Sequence, residues 1–283
     1  MSKHTADTIR NVALAGQRGA GKTSLAEMLL FTGKSIGRLG RVDDGTSTCD
    51  FDPDEVQRKM TISTAVAPVE WGKVKVNLLD TPGYSDFVGD VAGAMAVAEA
   101  ALIVVDAVGG VEVGTETGWD YSRGCMTRAF FINKMDRENA DFYRVLGALR
   151  ERFGNKVVAL QMPIGSEDSF EGVVDLVHMM AFKWEGGKMT EGDVPADLAD
   201  RAQELRESLI EAAAESSDEL IEKYFFKMKD ESRWGYELPY MITGILNKHP
   251  RTGLAFMKDV IEGKQQKSIV DFYNMHMIPD GVD

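Results

Sequence analysis

The chain has 283 residues, a net charge of −13, 44% hydrophobic and 27% charged residues. That is ordinary globular composition with length for one large domain or two smaller ones, and its acidity argues against bulk, sequence-specific nucleic-acid binding. No apolar run reaches the ~18 residues of a membrane span, and Met1 to Thr8 lacks the apolar core of a signal peptide.

Cys49 and Cys125 lie far apart without metal-like spacing, which reads as two reduced thiols in a cytoplasmic protein. There is no internal repeat and no low-complexity tract.

After a loose leader, Asn11 to Ala15 reads as a short apolar strand. It runs into Gly16-Gln17-Arg18-Gly19-Ala20-Gly21-Lys22-Thr23, of the form G-x-x-x-x-G-K-T. Leu25, Met28 and Leu29 then recur at helical spacing, to about Phe31. Strand, glycine loop and helix together are the context of a phosphate-binding loop. Its glycines let successive backbone N–H groups converge on one anion, and the helix N-terminus adds a positive dipole end. Gly16, Gly19, Ala20, Gly21, Lys22, Thr23 and Ser24 are the expected phosphate contacts. Lys22 can reach the β- and γ-phosphates and the Thr23 hydroxyl can ligate Mg²⁺.

Residues 32–60 form a polar loop with acids at Asp43, Asp44, Asp50, Asp52, Asp54 and Glu55. Most of these acids read as a solvated face, but a loop of this length is usually functional. Thr61, ending the loop before a strand, can bind Mg²⁺ and the γ-phosphate when the loop closes. Two strands follow, Ala65 to Trp71 and Val74 to Leu79, joined by Gly72-Lys73. They lead to Asp80-Thr81-Pro82-Gly83. Alone this is a Pro-Gly turn. Behind a phosphate loop it places Asp80 on the Mg²⁺ side and the Gly83 N–H toward the γ-phosphate.

A helix of small residues comes next, with Phe87, Val91, Met95 and Ala98 on one side. Ala101 to Val105 reads as a buried parallel strand, and Thr115 to Cys125 as helical. A further strand from about Ala129 ends in Asn133-Lys134-Met135-Asp136. N-K-x-D is weak as a lone string, but in order after the two earlier motifs it reads as a guanine site. The Asp136 carboxylate can accept from the ring N–H and the exocyclic amine, a pair adenine lacks. The Lys134 stem can lie over the base, and Asn133 can tie its loop to the phosphate loop. Asp141 to Phe153 is a further amphipathic helix. Strands alternating with helices, with motifs at strand C-termini, predict an open, mostly parallel α/β sheet of the P-loop GTPase type.

The ordered set Gly16–Thr23, Thr61, Asp80–Gly83 and Asn133–Asp136 resembles a translational GTPase, more narrowly the elongation factor G family. Gln161 to Leu176, with Pro195 to Phe226, is similar to the subdomain that family inserts into its G domain. The inserted part also reads from its residues as a small α+β unit. Val157 to Ile164 and Phe170 to Trp184 carry strand-like runs, and 197–226 holds one or two helices with Leu205, Leu209, Ala212 and Ala213 inward. The expected layout is a G domain over 1–154, the insert over 155–237, a last G-domain strand and helix within 238–263, and an unassigned tail over 264–283. The candidate last strand is Leu238 to Ile242 with a guanine-side loop that includes Thr243, Gly244 and Ile245, Thr243-Gly244 standing in place of the family's Ser-Ala; the alternative reading is that 227–283 is unrelated sequence that leaves the sheet incomplete. A ribosome-protection factor has a similar G domain, but the D-x-x-G context and insert stand closer to elongation factor G.

The resemblance implies Mg²⁺-dependent hydrolysis of GTP to GDP, with Lys22, Thr61, Gly83 and Tyr84 as the catalytic set. Thr23, Thr61 and Asp80 are the metal side. It also implies a monomer working on the ribosome, with contact to the ribosomal stalk protein through the insert. Three residues depart from the family. Tyr84 stands where a His orients the attacking water, and a phenol does not replace an imidazole in proton chemistry. Gln17 and Gly19 replace a His and an Asp of the loop, removing a ligand for an extra monovalent ion. Lys59 replaces a Gly. Slow hydrolysis without an activator is therefore expected, and the alternative is a GTP/GDP-dependent binding module that scarcely hydrolyses. The family's translocation domains lie beyond this stretch, so a complete translocase is not expected, and an isolated G domain with little activity is a third reading.

Overall fold

The computed structural model describes residues 4–125, 127–185 and 188–214. The expectations for Leu238 to Ile242, for Thr243, Gly244 and Ile245, and for 264–283 fall outside them.

The first sheet has the order β2-β3-β1-β4-β5, with β1 at Ile9–Gly16, β2 at Ala65–Trp71, β3 at Val74–Asp80, β4 at Ala100–Asp106 and β5 at Thr127–Asn133. β1 runs parallel to β3 and β4, and β4 parallel to β5. Only β2 is antiparallel, turned back by Gly72 at φ +59°. This is the open, mostly parallel α/β sheet that the alternation of strands and helices predicts.

Alternation along the strands sends side chains to two cores. On one face Leu14 and Leu78 pack with Ala26 and Leu30 of α1 (Lys22–Thr32). On the other, Ala13, Ala15 and Ala101 meet Val91, Ala94 and Met95 of α3 (Val88–Val97), while Ile103 and Val105 meet Val145 and Leu149 of α5 (Phe142–Phe153). The Asp141 side chain caps α5 by accepting from the Arg144 N–H at 3.0 Å. α4 spans Val113–Tyr121, and its Trp119 stacks on Phe130 and meets Phe153 at a tilt of 39°.

Three local expectations need correction. The inward stripe of α1 is Thr23, Ala26, Glu27 and Leu30, whereas Met28 is exposed. The helix starts at Lys22, so the loop sets its rotation and turns Ala26 rather than Met28 to the sheet. Second, the polar loop is not structureless. It contains α2 (Pro53–Arg58), started by Asp52 and Glu55 in a capping box with Pro53 in the first turn. Third, the run Val157 to Ile164 is strand only from Gln161, while the runs within Phe170 to Trp184 are β7 (Gly172–Asp175) and β8 (Met180–Glu185), parted where Met179 turns at φ +54°. With β6 (Gln161–Ile164) and β9 (Lys188–Asp193) they form a second sheet, β6-β7-β8-β9. The described residues fall into two compact units, one of 4–157, 163–173 and 183–189, the other of 158–162, 174–182 and 190–214. In the second, α6 (Ala199–Ala214) buries Ala202 and Leu205, with Leu209, Ala212 and Ala213 half-buried.

Candidate functional site

The site residues gather at the C-terminal ends of β1, β3 and β5. Gly16 leaves β1 at φ +136°, and a Cβ there would stand 2.2 Å from the Val104 carbonyl oxygen. Only glycine lets the loop start so close to the neighbouring strand. Gly21, at φ +99°, would collide with the Asn133 amide at 2.4 Å. Asn133 Nδ2 donates to the Ala20 carbonyl at 2.8 Å, so the loop after β5 is pinned to the phosphate loop. Lys22 Nζ donates to the Gly16 and Gln17 carbonyls at 3.0 and 3.1 Å, folding the lysine back over its own loop.

Thr23 and Thr61 come together although 38 residues separate them. Their hydroxyls are 3.0 Å apart, and Thr61 Oγ1 donates to Asp50 Oδ1 at 2.8 Å. Asp80 is fully buried beside them, and neither of its carboxylate oxygens has a hydrogen-bond partner among the described residues; Asp50 Oδ2 also lacks one. Orphaned buried carboxylate oxygens next to hydroxyls suit a hard, oxygen-liganded cation. No group of three His, Cys, Asp or Glu side chains among the described residues forms a metal cage. The set fits a cation that takes one or two carboxylates with neighbouring hydroxyls and completes its shell from phosphate and water.

Gly83 packs on the phosphate loop: a Cβ would lie 2.6 Å from Lys22 Nζ and 2.7 Å from Arg18 Cα. Tyr84 is half-buried, with the Arg18 guanidinium 4.6 Å above its ring centroid. On the base side, Lys134 (φ +63°) directs its ammonium to Asp106 Oδ2 at 2.7 Å, while Asp136 and Ser24 are exposed.

Three buried acids beside the site were missed or misread. Glu27 of α1 is 1% exposed, and its carboxylate accepts from Gly40 N–H, Ser47 Oγ, Thr48 N–H and Cys49 N–H. Asp50 and Glu55, two of the six loop acids of which most read from sequence as a solvated face, are each 3% exposed. Glu55 accepts from the Ile62 and Ser63 N–H groups and so fixes the backbone beyond Thr61. The only sequence signal for Glu27 is a carboxylate between Ala26 and Leu30 on the apolar stripe.

Burial pushes the Asp80 carboxyl up to about 7, against the pull of Thr23 and Lys22. Burial also lowers Lys22 to about 8, against the pull of Asp80 and Asp50. The two shifts act in different pH windows. Folded Asp80 keeps its proton up to about 7, whereas the unfolded group ionises near 3.8, so the ligand-free fold loses stability as pH rises through 7. Lys22 releases its proton near 8 folded and near 10.5 unfolded, so its penalty is relieved only as pH rises from 8 toward 10.5. Both charges are buried together between these windows. The ligand-free chain is expected to melt about 5 °C lower at pH 7.5 than at pH 5. Asp80→Asn should remove most of that fall; a mutant profile parallel to wild type would exclude Asp80 as its cause.

Residues 7–233 match the family "Elongation factor Tu GTP binding domain". The chain is 39% identical over 232 residues to an elongation factor G of Granulibacter bethesdensis, covering 80% of this chain and 34% of that protein. A solved structure from Thermus thermophilus superposes with a TM-score of 0.72 at 35% identity, covering 85% of this chain and 36% of that one. The chain thus spans about a third of the length of each.

Proposed function

The chain belongs to the elongation factor Tu GTP-binding domain family, the translational GTPases, and from that premise we propose that it hydrolyses GTP to GDP and phosphate slowly, as the ribosome-responsive G domain of an elongation-factor-G-like factor. The observation that carries this reading is the meeting of Thr23, Thr61 and Asp80 around orphaned carboxylate oxygens, beside Lys22 and Gly83.

Thr23, Thr61 and Asp80 would hold Mg²⁺. The bound cation would supply positive charge opposite the negative charge that develops on the phosphates. Lys22 and the loop amides bind the β- and γ-phosphates and stabilise charge as the γ-phosphoryl group departs. Thr61 and Gly83 register the γ-phosphate through the polar loop and the Asp80–Gly83 turn. Asn133 holds the base loop against the phosphate loop, and Asp136 reads guanine. Tyr84 orients water by its hydroxyl without acting as a base. The insert takes in the described residues from 155 to 214, its expected remainder to 237 lying outside the described residues, and the factor acts as a monomer in the cytoplasm.

A second reading, a GTP/GDP-dependent docking module with scarcely any turnover, is favoured by the Arg18–Tyr84 stack, which holds Tyr84 to the loop. GTP hydrolysis with and without ribosomes, with GDP binding as the folding control, separates the two. Stimulation above tenfold in wild type and a severalfold loss in Tyr84→Phe are expected. GDP binding without stimulation would favour the docking module. A Tyr84→Phe enzyme as fast as wild type would remove the hydroxyl from water positioning.

A further inference from the structure

For the nucleotide site proposed above, we infer that Arg18 is a γ-phosphate ligand that makes the site prefer GTP over GDP, exchanging between the phosphate and the Tyr84 ring. Arg18 occupies the third position of the phosphate loop, and its backbone abuts the turn that ends at Gly83. A Cβ on Gly83 would lie 2.7 Å from Arg18 Cα and 2.8 Å from Arg18 N. The same Cβ would lie 2.6 Å from Lys22 Nζ, the group that binds the terminal phosphates. The Arg18 backbone and Lys22 Nζ therefore converge on Gly83, the point to which the proposed site assigns the γ-phosphate and which a diphosphate would not reach.

The Arg18 side chain is exposed, and no carboxylate of the described residues pairs with it, unlike Arg41, Arg123, Arg152 and Arg201. Its guanidinium lies on the Tyr84 ring instead, 4.6 Å from the centroid. A cation on an aromatic face at an exposed site is held weakly. A guanidinium fork on phosphate oxygens is held more strongly, through two charge-assisted hydrogen bonds. A triphosphate thus draws Arg18 off the ring and frees Tyr84, whereas a diphosphate leaves the stack in place. Tyr84 follows directly on Gly83, whose turn abuts Arg18, so the exchange couples the nucleotide state to the position of Tyr84.

Affinities for GDP and for an imido-bridged, non-hydrolysable GTP analogue, measured with Mg²⁺ in wild type, Arg18→Ala, Arg18→Gln and Tyr84→Leu, test this. Arg18→Ala and Arg18→Gln should each reduce the triphosphate preference about tenfold at unchanged GDP affinity. Tyr84→Leu, which removes the competing ring, should raise the preference about threefold. A preference unchanged in both Arg18 variants would overturn the assignment while leaving the nucleotide site standing. Equal loss of both ligands would make Arg18 a general support of the loop, and a lower preference in Tyr84→Leu would make the ring a support for Arg18 rather than its competitor; either overturns the exchange. Failure of wild type to bind GDP would overturn the nucleotide site and this role together.

Discussion

Lys22→Met is expected to reduce GDP and GTP affinity at least 100-fold while leaving the ligand-free chain within about 1 kcal/mol of its original stability at pH 7.5. Lys22 is 6% exposed and held over its loop by two carbonyl oxygens, yet burial still lowers its pKa to about 8. The desolvation of this ammonium therefore exceeds the attraction of Asp80 and Asp50. Methionine has nearly the same length and fills the same space without a charge. It forfeits the two hydrogen bonds, which opposes the gain from removing a buried cation. Asp80 is not stranded, because with a pKa already near 7 it takes up a proton. Titration of a fluorescent GDP and thermal melts at pH 7.5 read the two halves separately. Affinity within tenfold of wild type would remove Lys22 from the phosphates. A melting temperature lower by more than about 10 °C would make it a structural lysine.

The strands of the first sheet and the order of its motifs were legible because they rest on local rules. Ala101 to Val105 is an apolar run, Gly72 makes a turn, and Asp141 is a cap three residues before the N–H it receives. The meeting of Asp80 with Thr23 was legible because both follow strands of one parallel sheet. The burial of acids was not. Glu27, Asp50 and Glu55 look like surface carboxylates until residues 40 to 63 supply donors, backbone N–H groups for Glu27 and Glu55 and the Thr61 hydroxyl for Asp50. Helix α2 carried a signal that went unused, since Asp52-Pro53-Asp54-Glu55 is a capping sequence. Strand β9, Lys-Met-Thr-Glu-Gly-Asp, has no apolar alternation and is exposed throughout its described side chains. It has strand geometry because β8 offers it a partner, which no local pattern reports.

Glu27→Ala is expected to destabilise the chain by about 3 kcal/mol or more and to release the polar loop from α1. One carboxylate satisfies the backbone N–H groups of Gly40, Thr48 and Cys49 and the Ser47 hydroxyl. Packing around it is tight: a Cβ on Gly40 would lie 2.5 Å from Glu27 Oε2 and 2.9 Å from Ser47 Cα. Alanine leaves those donors without an acceptor in a dry site, a cost that apolar contacts cannot replace. Glutamine keeps the shape but turns an amide toward donors on one side, so Glu27→Gln should lose part of the stability and not all of it. The functional consequence follows from sequence order. Asp50 comes directly after the segment that Glu27 holds, and it accepts the hydrogen bond of Thr61 beside Thr23. Freeing residues 40–49 therefore loosens the cation side of the site without touching a phosphate contact. Denaturant unfolding should show the stability loss, and limited trypsin digestion should cut after Arg41 at least tenfold faster than in wild type. GDP affinity should weaken more in the presence of Mg²⁺ than in its absence. A digestion rate unchanged from wild type, with a stability loss under about 1 kcal/mol, would show that the loop is held by its own turns and by α2 rather than by Glu27.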